Sequence, residues 1–137
     1  MRPDDVVRIH HMIEAAEASE RFIVGRRRGD LDADMMLRFA LVRAVEIFGE
    51  AASKVSAETR AGAPSIPWRA IVAMRNRLIH AYFDIDHDLL WTAATQEILS
   101  LLSALRELAG DHQINEVARN ASARCSWRGG FAAGRST

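Results

Sequence analysis

Apolar residues recur at helical spacing along most of the chain. Val6, Ile9, Ile13, Ala16 and Ile23 fall on one stripe and predict a first helix over about residues 4–24, opened by Asp4 and Asp5, whose charge suits a helix N-terminus. Gly25 ends it. Asp30, Asp32 and Asp34 are each plausible caps for a second helix. Its stripe of Leu37, Leu41, Ala44, Val45, Phe48, Ala51, Ala52 and Val55 reads as one buried face of a long helix. Residues 57–66 hold Gly62 and Pro64 without periodicity and read as a loop. Pro67 suits the first turn of a third helix, where its missing N–H costs nothing. Trp68, Ile71, Val72 and Leu78 or Ile79 give that helix its apolar side, and it ends near residues 80–82. Asp86 or Asp88 can cap the fourth, whose seam is Trp91, Ala94, Ile98, Leu101, Leu105 and Leu108.

Four helices with short connections predict an all-α fold, an antiparallel up-and-down bundle over residues 1–110. Beyond Gly110 the chain turns to Ala, Ser, Gly and Arg, and residues 111–137 read as a short helix near 114–119 followed by a flexible tail. At 137 residues the chain is long enough for one domain with its own core. No apolar run reaches a membrane span, and the N-terminus lacks a signal-peptide stretch. The single cysteine, Cys125, excludes an internal disulfide framework and agrees with a reducing cytoplasm.

The formal net charge is zero. Arg119, Arg124, Arg128 and Arg135 lie in the tail against Asp111 and Glu116. Subtracting these from 18 basic and 18 acidic residues leaves 14 basic and 16 acidic over residues 1–110. A chain that grips RNA by general electrostatics is basic. Any action on RNA here therefore works through a local patch.

The stretch with most chemistry is Arg75-Asn76-Arg77-Leu78-Ile79-His80-Ala81-Tyr82, spaced R-N-x-x-x-H-x-Y. A histidine moves protons near neutral pH, and a guanidinium holds charge on phosphate oxygens. Together they suit phosphodiester cleavage. The bland alternative is that His80 caps the third helix, Arg75 pairs with a carboxylate and Tyr82 packs on the bundle. On a straight helix Arg75 and Tyr82 lie nearly in line, whereas His80 is about 140° from Arg75. One helix does not converge the pair, and a twofold dimer that brings two helix ends together supplies both groups to one cleft.

Residues 66–86, from Ile66-Pro67-Trp68 through the arginine–histidine–tyrosine motif to Asp84-Ile85-Asp86, closely resemble the signature of HepT-like proteins, a family of the HEPN superfamily of helical ribonuclease domains. Arg43-Ala44-Val45-Glu46-Ile47-Phe48-Gly49-Glu50-Ala51 resembles the second family block, and the similarity extends over about residues 4–110. The resemblance implies a toxin that cleaves RNA without a metal or other cofactor. It implies Arg75 and His80 as the catalytic pair, Asn76 as their polar companion and Tyr82 as the acceptor of AMP. The AMP comes from MntA, a minimal nucleotidyltransferase antitoxin. It also implies a homodimer. No membrane or DNA partner follows from it.

Other candidates are weaker. Glu46 and Glu50, one turn apart, are placed to orient Arg75 or Arg43, or simply to face solvent. Arg26-Arg27-Arg28 follow a helix C-terminus, where basic residues need no function. His10-His11 lack a third metal ligand at sensible spacing. Asp84, Asp86 and Asp88 read as capping residues, with the Asp84 neighbourhood able to meet an antitoxin. A rival function is a non-catalytic helical partner of a nucleotidyltransferase, in which Tyr82 still accepts AMP and Arg75 and His80 only shape the docking surface.

Overall fold

The computed structural model describes residues 1–80 and 85–110. Among these, all regular structure is helical: α1 (Pro3–Ile23), α2 (Asp30–Ala33), α3 (Met35–Ser53), α4 (Ala57–Gly62), α5 (Trp68–His80) and α6 (His87–Thr92). A π turn at Ala93–Glu97 leads into α7 (Ile98–Ser100), and α8 spans 102–110. The expected all-α bundle is present. Its main packing sets α1 on α3 and α3 on α5, with the π turn and α7 against α1.

The long helices stop and start on local chemistry. Gly25 takes a positive φ of 70° just past α1, a conformation that costs glycine nothing. Asp34 caps α3 by accepting from the Leu37 N–H at 3.2 Å. The Arg60 guanidinium closes the other end, donating to the Val55, Ala52 and Ser53 carbonyls at 2.9, 3.3 and 2.7 Å. Asp86 caps α6, accepting from the N–H groups of Asp88 and Leu89 at 3.0 Å each. The stripe expected on α3 is buried throughout, Val55 included. On α1 the buried set adds Met12, Ala15 and Ser19 to Ile9, Ile13 and Ala16, while Val6 and Ile23 are half-buried. On α5, Met74 joins Trp68, Ile71 and Leu78.

Two sequence expectations are corrected. Residues 57–66 are not simply a loop, because α4 occupies Ala57–Gly62, started by Ser56, whose hydroxyl accepts from the Thr59 N–H at 3.4 Å. No α4 residue is buried, so no apolar period marks it. The fourth helix is not one regular helix either. A π turn holds an extra residue and so displaces part of the inward face after it, while Ile98 and Leu105 stay buried as expected. The expected Leu101, Leu105 and Leu108 become Leu102, Leu105 and Ala109 in the core, with Leu101 and Leu108 half-buried. A π turn frees a carbonyl from the regular ladder. Here the buried Ser19 hydroxyl donates to the Ala94 carbonyl at 3.0 Å and ties the distortion to α1.

Asp5, only 2% exposed, accepts from the Ser56 N–H (2.9 Å), the Ser56 hydroxyl (2.6 Å) and the Thr59 hydroxyl (2.7 Å). Burial pushes its carboxyl up, but these bonds and the Arg2 charge outweigh it and hold the pKa below its ordinary value. The cluster fixes the start of α1 beside the end of α3. The expected helix near 114–119, the tail and Cys125 lie outside the described residues.

Candidate functional site

An open groove of about 420 Å3 runs over α3 between α1 and α5. Its floor is α3, through Arg43, Glu46, Ile47, Glu50, Ala51 and Lys54. Arg8 and His11 border it from α1, Arg75 and Ile79 from α5.

Arg75 is the best-anchored side chain in the groove. Its Nη2 donates to Glu50 Oε2, and its Nη1 donates to Asn76 Oδ1 at 3.1 Å. Its Nε is buried without a hydrogen-bond partner among the described residues. Glu50 also receives the Lys54 ammonium on Oε1 at 3.2 Å. Lys54, followed by Arg75 and Arg8, holds the Glu50 carboxyl below the usual glutamate range, against a smaller cost of burial. Glu50 is therefore anionic throughout the neutral range. Glu46 Oε2 lies 3.6 Å from Arg43 Nη1.

Arg75 reaches Glu50 because of Gly49. Gly49 is buried on the face of α3 that meets α5, where the stem of Arg75 lies across it. A Cβ added there would stand 2.7 Å from Arg75 Cγ and nearer still to Arg75 Cβ. Only a hydrogen fits between the two helices at this level.

The sequence-derived candidates thus divide. Arg75, Glu46, Glu50 and Arg43 line one groove. Asn76 bonds to Arg75 from the exposed side of α5. His80 is exposed in the last turn of α5 and is not among the lining residues. Tyr82 and Asp84 lie outside the described residues. In the run Arg26–Arg28, the side chains of Arg26 and Arg28 and the backbone of Arg27 are engaged in local structure. Arg26 pairs with Asp34 at 3.2 Å, and the Arg27 N–H donates to Asp30 at 2.7 Å. Arg28 bridges Asp32 and Asp88 at 3.2 and 2.6 Å. Arg8 and Lys54 carry no signal by type or spacing, and His11 and Gly49 carry none that sets them beside Arg75. Their placement depends on how α1, α3 and α5 cross.

The fold is thus a helical bundle whose polar groove presents an arginine tethered by Glu50 and Asn76. The chain belongs to the Ribonuclease HepT-like family, which it matches over residues 12–108, a span that includes Arg75, Asn76 and His80. It is 36% identical to the probable ribonuclease HepT of Thermococcus cleftensis over 100 residues, 73% of this chain and 91% of that one. It is 33% identical to a candidate RNase of Methanocaldococcus jannaschii over 90 residues, 66% of this chain and 83% of the relative. A candidate RNase of Caldanaerobacter subterraneus is 32% identical over 104 residues, 73% and 89% of the two chains. No solved structure matches the chain.

Proposed function

We propose that this chain is a metal-independent endoribonuclease acting as the toxin of a toxin–antitoxin pair in the cytoplasm. The observation that carries the reading is Arg75, tethered by Glu50 and Asn76 at the wall of the groove, on the same helix as His80. His80 takes the proton of a 2′-hydroxyl, whose oxygen attacks the neighbouring phosphorus. The P–O5′ bond breaks, the 5′-oxygen takes up a proton from solvent, a 2′,3′-cyclic phosphate remains, and His80 returns its proton to solvent. Arg75 stabilises the charge that builds on the phosphoryl oxygens. Asn76 orients Arg75 or the phosphate. DNA lacks the attacking hydroxyl and does not follow this route.

The acting unit is a homodimer. His80 does not line the groove that Arg75 lines, which supports a second copy bringing its His80 to this Arg75. The surface that supports pairing adjoins the groove. An apolar depression between α1 and α3 holds Ala15, Ala18, Phe22, Ala40 and Ala44, and shares His11, Arg43 and Ile47 with the groove. Met36 (83% exposed) and Phe39 (61%) extend the exposed apolar surface of α3, and Phe22 is 39% exposed. Exposed apolar area of this kind, continuous with a half-built site, fits a second copy of the chain.

Control comes from an MntA-like nucleotidyltransferase. The Tyr82 oxygen attacks the α-phosphorus of ATP, pyrophosphate departs and AMP stays on the tyrosine. The added anion, two residues after His80, competes with substrate for Arg75.

The test is purified protein with total RNA, with and without EDTA, beside His80→Ala and Arg75→Ala. Cleavage that survives EDTA and falls at least about a hundredfold in each variant supports the reading. Equal cleavage in wild type and variants overturns it. Zero net charge favours the rival, a non-catalytic acceptor of AMP, which requires wild-type protein to leave RNA intact while still gaining AMP at Tyr82. Tyr82→Phe should cleave RNA and gain no AMP in intact-mass measurement.

A further inference from the structure

The groove holds more positive charge than the Arg75 chemistry uses. Four permanent cations line it, Arg8, Arg43, Lys54 and Arg75, against two carboxylates, Glu46 and Glu50. Both carboxylates are engaged, Glu46 with Arg43, and Glu50 with Lys54 and Arg75. Arg8 has no ion-pair partner among the described residues, although its charge reaches Glu50. The groove is thus locally positive in a chain whose formal net charge is zero. Arg8 and His11 are three residues apart on α1, about 4.5 Å along the axis, and both line the groove. The anchoring of Asp5 at Ser56 and Thr59 fixes this end of α1 against the end of α3, so Arg8 projects from a braced helix.

We propose that Arg8, with His11 one turn on, forms a phosphate subsite that binds the RNA backbone next to the phosphate held by Arg75. This subsite rests on the ribonuclease reading and deepens it. Both residues lie on α1, just ahead of the span 12–108 that matches the family. The ligand is a phosphodiester of a single strand. A guanidinium at a groove wall, left without a carboxylate, suits a phosphate oxygen pair.

The test uses an uncleavable RNA, a ten-nucleotide 2′-O-methyl strand of mixed sequence, with binding measured by anisotropy from 50 to 300 mM salt. Each phosphate contact on a single strand contributes about 0.7 to the slope of log K against log salt. Arg8→Gln should lower the slope by about that amount and weaken binding several-fold at 100 mM salt. Arg8→Lys should keep most of the slope. Arg69→Gln, an exposed arginine of α5 outside the groove, should bind as wild type does. Circular dichroism of each variant checks that the fold is intact. The subsite is overturned by an Arg8→Gln slope equal to wild type, by an equal loss in Arg69→Gln, or by wild type that fails to bind the strand at 50 mM salt. Cleavage of total RNA by wild type is scored separately. Its absence defeats the ribonuclease reading, while the slopes still decide the subsite.

Discussion

Gly49 and Arg75 occupy the same level of the α3–α5 interface, and the glycine leaves room for the arginine stem that passes to Glu50. A Cβ at Gly49 meets Arg75 Cβ, which is fixed to its backbone and cannot rotate away. Gly49→Ala must therefore push α3 and α5 apart or slide them. Overpacking of this kind costs about 1–3 kcal/mol, offset by about 1 kcal/mol of gained helix propensity. The expected outcome is a helical, slightly destabilised protein whose RNA cleavage falls at least about tenfold, since near-ångström misplacement of a charged group is enough for that. Wild-type kcat in Gly49→Ala would show that Arg75 does not need this fit.

Glu50 both orients Arg75 and cancels part of its charge. Glu50→Gln should split the kinetic constants. The guanidinium loses its anchor, so kcat falls about tenfold. The groove gains one positive charge, so KM for RNA does not rise. Because Glu50 is held below the ordinary glutamate range, the wild-type pH profile should show no Glu50 titration above pH ~5. A variant with unchanged kcat and a raised KM would assign Glu50 to binding instead.

Asp5 links acidity to stability. Its folded pKa is depressed, so its contribution is fully present above the unfolded value and is lost as pH falls through the folded one. Asp5→Asn should cost about 1–3 kcal/mol in urea unfolding at pH 7, from the buried bonds to Ser56 and Thr59. The gap between variant and wild type should narrow below pH ~4. A gap that stays constant down to pH 3 would mean that the carboxylate charge is irrelevant.

Pairing of two copies has a complementation signature. Arg75→Ala and His80→Ala proteins are each expected to be inactive. Mixed and allowed to exchange, half the dimers are mixed, and one of their two clefts is intact if each cleft takes its arginine and histidine from different copies. Activity should then return to about a quarter of wild type. Phe39→Glu, on the exposed apolar face of α3, should give a monomer by light scattering and abolish that recovery. An active Phe39→Glu monomer would remove the composite cleft.

Much of this protein is written in its sequence. The stripe from Leu37 to Val55 is buried position for position, because 3.6-residue periodicity is a local consequence of helix geometry. The Asp34 and Asp86 caps follow from residue type within a turn. Residues 57–66 were less legible, because α4 packs no side chain into the core and so leaves no apolar period. The fourth helix misled after Ile98, since the shift of its inward face comes from a π turn bonded to Ser19 of another helix.

The sequence by itself determined the long helices α1, α3 and α5, their order, and the spacing of Arg75, Asn76 and His80 on one of them. Those are properties of a few consecutive residues and of rotation per residue. The tertiary structure alone decided what stands beside them. Nothing in residue spacing says that Glu50 rather than Glu46 receives Arg75, that Gly49 opens the way, or that Arg8 and His11 border the same groove. These relationships join residues 25 to 67 positions apart. They are fixed by how close three helix axes approach, and that distance is set by the core packed between them.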